Sequence, residues 1–449
     1  MRAARRGVLA GIVSALVATG GGLAAQQRPA AGLPAQLQVS LAEAVRRALD
    51  VQPDIVRARG EVRTAGAGQR SAAGAFLPTI MASGSSNQAS ANRYNPATGQ
   101  IVTVRANTSY SGGLGLSLDL FDGFQRLASK RAAAATEDAA DAGLVNQRYQ
   151  VAATTANRFY TALADEELVR VAQAQVQRAK EELQIALNKF QAGAATRSDT
   201  LTATVDLGNA QLALLEAQAN LATSQANLGR QVGVDQAVRA VPDTAFPSLP
   251  DTTALRAEAL DSSPQVRQAE AQVRAAGATV GIARSQYWPT LSASYSNGYT
   301  GLDSLRRVGL APWSTTQSYV NNWALRFSLN WTLFNRFTRE ADQVTASVGR
   351  DVARAQAADT RRQVGAQLTE QLASMLTAYA RIGITGANVA AATEARRVQQ
   401  ERYRLGAGTL LDLLTAEANL TQAEVNQVQA RYDYLIARAQ VEALVGHAL

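Results

Sequence analysis

The sequence predicts a mixed α/β membrane architecture, internally duplicated, in which long coiled-coil helices are joined to short amphipathic β-strands. Three observations carry this. The first is that the chain is written twice. Phe190–Gly233 and Tyr403–Gly446 align at a constant offset of 213 without a gap, and 13 of the 44 positions are identical, among them Gly193/Gly406, Thr196/Thr409, Asp199/Asp412, Leu201/Leu414 and Gly233/Gly446. The second is a Pro-free stretch of about 65 residues in each half, each followed by a shorter helical segment. The third is strict alternation of large apolar and polar side chains over Trp323–Leu333. A period of about 200 residues is too long for a solenoid and means a duplicated half-structure.

Composition narrows the class. Ala dominates the 47% of residues that count as hydrophobic, and aromatics are only 6%. Small side chains suit helices that approach closely along a seam rather than a thick core. Cys is absent, which excludes disulfides, thiolate metal sites, a Cys nucleophile and a lipidated N-terminal Cys. The single His, His447, lies two residues from the C-terminus. The net charge of +8 includes Arg2, Arg5 and Arg6. These begin a secretory signal pattern: a basic start, an apolar stretch over Gly7–Val17 and small residues near Ala25. Residues 1–25 read as a signal peptide, with a retained membrane anchor as the alternative. No later stretch reaches the ~18 apolar residues of a membrane helix. The basic balance has no aromatic-interleaved Lys/Arg cluster, so nucleic acid is not expected as a partner.

The elements follow in order. Residues 26–39 are polar and Pro-punctuated and read as a mobile lead-in. The first repeat, residues 40–240, opens with Ser40 as an N-cap and Glu43 as its capping-box partner. Helix runs to about Ala75, bent near Pro53, and Phe76-Leu77-Pro78 ends it. A strand is expected over Thr79–Gln88, a polar loop over Ala89–Gly113, and a second strand where Leu114, Leu116, Leu118 and Leu120 alternate with Gly115, Ser117 and Asp119. FDGF opens a helix over Gln125–Lys189, ~98 Å long. Gly193 sits where a helix C-cap needs it. The returning helix carries Leu207, Leu214, Leu221 and Leu228 at coiled-coil spacing. Residues 241–252 are a Pro-rich linker.

The second repeat, residues 253–449, restates this order. A helix is expected over Thr253–Ser285, a strand over Thr290–Tyr299, a polar loop to Asn322, the Trp323–Leu333 strand, a helix over Thr338–Arg404, a turn at LGAGT and a final heptad helix. Strand Trp323–Leu333 sets the environment. Trp323, Leu325, Phe327, Leu329 and Trp331 would meet lipid while Arg326, Ser328 and Asn330 face the other way. Leu114, Leu116 and Leu118 take the lipid face in the first repeat. Four strands cannot close a barrel, and open edges are forbidden in lipid, so several chains must supply the strands together.

With these residues in place the sequence resembles the TolC family of outer-membrane efflux proteins. The resemblance rests on LSLAEAVRRAL, the segments at Pro53 and Pro264, the LPT and WPT strand entries, LFDGF and LFNRF, and the pair FQAGAATRSDTLTA and YRLGAGTLLDLLTA. It covers essentially Ser40 to Gly446. It implies a homotrimer whose four strands per chain form one 12-stranded β-barrel, continued by a hollow α-helical barrel through the periplasm. It also implies a cell outer-membrane location, a periplasmic adaptor protein docked at the helix turns, and an inner-membrane pump of RND, ABC or MFS type. The docking turns then contain Gly193, Thr196, Gly406, Gly408 and Thr409. Asp412 corresponds to an aspartate lining the closed aperture, and Asp199 and Tyr403 to a pair linking neighbouring hairpins. Thr415 and Gly408 depart from the family pattern, which has a second aperture aspartate and a linking arginine there.

Enzymatic chemistry has little to stand on. One terminal His and no Cys allow neither a His-based triad nor a His/Cys metal cluster. No P-loop or GxSxG motif is present, and no cofactor or metal is expected. The acidic pairs at Glu137-Asp138, Asp165-Glu166-Glu167 and Glu181-Glu182 read as a solvated face of the long helix. The expected function is a passive outer-membrane exit duct for efflux or type I secretion. The alternative from another class is a periplasmic coiled-coil scaffold or adaptor without a pore.

Overall fold

The computed structural model describes residues 37–242, 246–303 and 319–449. The expected signal peptide and residues 26–36 of the lead-in lie outside the described residues. The chain enters at a short strand, β1 (Leu37–Val39), followed by α1 (Leu41–Val51) and α2 (Pro53–Gly74). Next come β2 (Thr79–Asn95) and β3 (Gln100–Phe121), then the long α3 (Gln125–Gln191) and the returning α4 (Arg197–Val232). After β4 (Val238–Ala240) the order recurs as α5 (Thr252–Ser262), α6 (Pro264–Ser285), β5 (Thr290–Asp303), β6 (Tyr319–Asn330), α7 (Thr338–Arg404) and α8 (Leu410–Val445).

Local chemistry accounts for the helix ends. Ser40 Oγ accepts from Glu43 N and caps α1. Proline cannot donate to a preceding turn, so both short helical segments break in front of it, at Pro53 and at Pro264. The single helix expected over Thr253–Ser285 is therefore two, like its counterpart in the first repeat. Each 67-residue long helix spans ~100 Å. The shorter helices stack end to end beside it. Gln52 Nε2, at the end of α1, donates to Gln231 O near the end of α4 at 2.6 Å. Beyond its own repeat, α3 also packs against α6 and α8.

The core is a series of thin clusters strung along these seams. Phe159, Leu228, Val232 and Val238 fill one near the middle of α3. Leu372, Met375, Tyr434 and Val441 fill its counterpart on α7 and α8. Toward the turns the seam narrows to Val176, Ala179 and Ala210, with Leu207 and Leu214 against them. The heptad leucines of α4 thus lie in the seam, and alanines let the backbones approach closely.

Several strand residues lie in segments read from the sequence as irregular, among them residues 300–303 of β5 and 319–322 of β6, expected as loop. Leu37–Val39, assigned to the lead-in, is a strand paired in parallel with Val238–Ala240. The polar stretch 89–113 is mostly a continuation of the β2–β3 hairpin, whose register runs from Thr79↔Ser117 to Asn95↔Gln100. The turn is built by Asn95, whose Oδ1 accepts from Ala97 N at 3.1 Å, and by Gly99 at φ +66°. Polar composition suggested a loop, but a hairpin that leaves the bilayer needs no apolar face.

Candidate functional site

The first part of the site is the four-stranded antiparallel sheet of order β2-β3-β5-β6. Its register sorts side chains onto two faces. Ile80, Leu116, Tyr295 and Leu325 pair in one row across all four strands. The rows Leu118–Ala293–Phe327, Leu291–Leu329 and Leu114–Asn297–Trp323 lie on the same face. The opposite face carries Ser117–Ser294–Arg326, Asp119–Ser292–Ser328 and Gly113–Gly298–Asn322. Trp323, Phe327 and Leu329 are 69%, 64% and 72% exposed in the single chain. From Trp323 to Leu329 the apolar face measures ~20 Å, near the ~25 Å band of a membrane barrel. The structure therefore brings Leu114, Leu116, Leu118, Trp323, Leu325, Phe327 and Leu329 together. Trp331 is the exception. Strand β6 ends at Asn330, and the Trp331 indole Nε1 donates back to Tyr287 O at 3.3 Å. It belongs to the strand-to-helix junction.

That junction is built twice from one plan. Gly123 and Phe124 precede α3, and Arg336 and Phe337 precede α7, all four at φ between 60° and 68°. This left-handed pair turns the chain from sheet into helix. Arg126 N donates to Asp122 Oδ2 at 2.8 Å, and its guanidinium lies over the Phe76 ring at 5.1 Å. Arg339 repeats this over Tyr287 at 4.8 Å. Phe121 against Phe124, and Phe334 against Phe337, are edge-on pairs at 5.3 and 5.4 Å. At Gly123 a Cβ would meet Ser285 O at 2.5 Å, so only glycine fits there.

The far ends of the hairpins form the second part. Each long helix closes by the same glycine motif. Gly193 and Gly406 adopt φ +74° and +77°. Ala194 N donates to Lys189 O, and Ala407 N to Arg402 O, both at 2.8 Å. Thr196 and Thr409 then cap α4 and α8. Thr196 N donates to Asp199 Oδ2 at 2.9 Å, and Thr409 N donates to Asp412 Oδ2 at 3.1 Å, completing a capping box in each turn. The Thr409 hydroxyl and backbone N–H hold the Asp412 carboxyl below its ordinary value. Asp412 and Thr415 are exposed one helical turn apart, and Thr415 Oγ1 donates to Leu411 O at 2.8 Å. Leu405 and Leu411 project from the tip, 79% and 72% exposed. Gly408 leans on Arg402, whose Nη2 donates to Ala407 O at 3.3 Å.

Tyr403 is 3% exposed among Ala186, Ala203, Leu410 and Leu413. Lys189 Nζ sits 4.1 Å from its ring centroid and donates to its carbonyl oxygen, tying the end of α3 to the end of α7. Burial, and next the charge of Asp199, push the Tyr403 phenol up. Within one chain no hydrogen bond joins it to Asp199, whose carboxylate is engaged in its own capping box.

Some turns above the tips, four helices bury a cluster of charges that residue patterns did not reveal. Arg178 of α3 pairs with Glu417 and, at 2.9 Å, with Glu424 of α8. Arg396 of α7 pairs with the same Glu417 at 2.7 Å. Glu182 of α3 is 1% exposed, and its nearest cation is Arg396 Nη2 at 4.0 Å. The expectation of a solvated face for Glu181-Glu182 is therefore corrected for Glu182. Glu181 is exposed, but its neighbour falls on the seam with Ala179 and Ala186. Glu166 and Glu167 are also engaged, with Arg239 at 2.6 Å and with the Tyr432 hydroxyl at 2.8 Å. A helical period read around the neighbouring alanines would have separated Glu182 from Glu181.

A two-faced sheet with open edges at one end, and helices ~100 Å long that turn back as hairpins at the other, fit the plan of an envelope-spanning duct. The family model for outer membrane efflux proteins matches residues 44–234 and 255–447, and the chain belongs to that family. The probable efflux pump outer membrane protein TtgC of Pseudomonas putida is 22% identical over 385 residues, covering 83% of this chain and 75% of the relative. The outer membrane efflux protein BepC of Brucella suis is 24% identical over 354 residues, covering 77% of this chain and 74% of the relative. The crystal structure of the outer membrane protein VceC from Vibrio cholerae shares the fold with a TM-score of 0.76, at 20% identity and over 91% of this chain and 96% of that one. The protein is an outer-membrane exit duct for efflux, from a family of channel proteins.

Proposed function

We propose that three copies of this chain join their sheets into one 12-stranded barrel and their helices into a hollow periplasmic barrel, through which an inner-membrane pump of RND, ABC or MFS type expels its cargo. The observation that carries this reading is the open-edged sheet. Its apolar face and its unpaired edge strands β2 and β6 can be satisfied together in lipid only if further copies close the ring. The exposed Leu405 and Leu411, beside Gly193, Thr196, Gly406, Gly408 and Thr409, form the surface a periplasmic adaptor would cover. Around a threefold axis Asp412 and Thr415 would line the aperture, with Asp199 and Tyr403 linking adjacent hairpins.

A passive duct needs no cargo-binding chemistry of its own. That fits relatives named for toluene efflux, pyoverdine export and cobalt-zinc-cadmium resistance. The test is to purify the protein in detergent, weigh the particle by light scattering and record conductance in planar bilayers. The expected particle contains three chains and conducts ions. A monomer that keeps its strand content, or a trimer that never conducts, would favour a scaffold without a pore.

A further inference from the structure

The buried charges between the two hairpins do not balance. Arg178 and Arg396 are the cations, and Glu417 lies between them with Glu424 completing the partners of Arg178. Arg178 Nη2 also donates to Thr421 Oγ1 at 3.3 Å. Two further carboxyls face this set, Glu182 from α3 and Asp206 from α4. Neither oxygen of Glu182 accepts a hydrogen bond, and Nη2 of Arg396 donates none. At 4.0 Å the two are too far apart for a direct hydrogen bond. An ionised carboxylate here would be buried, unbonded and beside the negative Glu417, so it takes up a proton instead.

We propose that Glu182 is a proton-operated latch between the hairpins. Protonated, it lets Arg396 and Arg178 draw α7 and α8 onto α3 through Glu417. Deprotonated, it repels Glu417 and loosens the tip. The groups that face it are Arg178 on its own helix, Asp206 on α4, Arg396 on α7 and Glu417 on α8. Burial, and next the charge of Glu417, push the Glu182 carboxyl from the ordinary 4.5 up to about 8, against the opposing pull of Arg396. Asp206 is raised for the same two reasons. The closed tip therefore holds a proton that a separated, hydrated tip would release. That advantage is complete below 4.5 and is lost as pH rises to about 8. Alkaline conditions favour separated hairpins.

The inference deepens the duct reading and rests on it for the meaning of an open tip. Its test compares the native protein, the isosteric and permanently neutral Glu182→Gln, and the exposed neighbour control Glu181→Gln. Infrared titration of the purified protein should show a protonated carboxyl band at neutral pH that fades above about pH 8 and is missing in Glu182→Gln. In planar bilayers the open probability of the native protein and of Glu181→Gln should rise at least about tenfold between about pH 6 and about pH 9, since one proton per chain permits up to about tenfold per pH unit below about pH 8. Glu182→Gln should stay flat at the low-pH value. A native band already gone at neutral pH, a flat native profile, or a slope that survives in Glu182→Gln would each overturn the latch. A protein that never conducts would sink the duct reading and the gating role with it, while the infrared arm would still decide whether Glu182 keeps its proton.

Discussion

Asp412 carries two roles in one carboxylate, and they can be separated. It completes the capping box with Thr409, and it would contribute negative charge to a threefold aperture. Asp412→Asn keeps an oxygen able to accept from the Thr409 N–H but removes the charge. The expected outcome in single-channel recording is an intact trimer with weaker block by multivalent cations. Thr409→Ala should instead cost the helix roughly 1 kcal/mol through the lost cap while leaving cation block in place, read as a lower unfolding midpoint by circular dichroism. If Asp412→Asn leaves block unchanged, the residue is only a cap. The cap has a sequence signal that the aperture expectation for Asp412 leaves unused: Thr-x-x-Asp after a turn glycine. Glu182 was not legible. Its acidity in a Glu-Glu pair signals solvent, and only the seam placed by Ala179 and Ala186 moves it inside.

At the scale of the element, period-two alternation located the sheet and its apolar face, because pleating leaves each residue only two directions. It failed where side chains have no apolar face to declare, as in the outer part of the β2–β3 hairpin. It also overran at Trp331, where an aromatic continues the alternation but the backbone has already left the sheet. The face assignment predicts a contrast between neighbours. Leu329→Arg should cost roughly 2–4 kcal/mol near the bilayer midplane and lower the yield of assembled protein in membranes. Ser328→Arg, on the polar row with Asp119 and Ser292, should assemble normally. Equal yields would mean that this sheet does not stand in lipid. The left-handed junctions had no sequence signal at Phe124, Arg336 or Phe337, since only Gly123 among the four residues advertises a positive φ.

For the whole molecule, the duplication dictated the plan and the single chain leaves it unfinished. On α4, Leu201, Val205, Leu212 and Leu215 are exposed and fall on one helical face. On α7, Val344, Val348 and Val352 do the same. A second copy is the expected cover for such stripes. Leu212→Glu with Leu215→Glu should shift the detergent-purified protein from trimer toward monomer in light scattering, with helix content unchanged by circular dichroism. A double variant as trimeric as the native protein would place the subunit contact elsewhere. Four strands with open edges are the sequence's argument for assembly, whereas no such signal picks out which helical faces would meet, because Ala-rich helices offer similar small-residue seams on several sides.

The small parallel pairing of Leu37–Val39 with Val238–Ala240 sets a clock on biogenesis. Parallel partners so distant in sequence cannot meet early. A chain that crosses the inner membrane N-terminus first delivers Leu37 well before Ala240. Throughout that interval the start of the folded unit is a loose end that a chaperone can still hold, although α3 and α4 can already form. Its closure onto β4 marks the moment at which the first repeat is complete and only the second remains to be delivered.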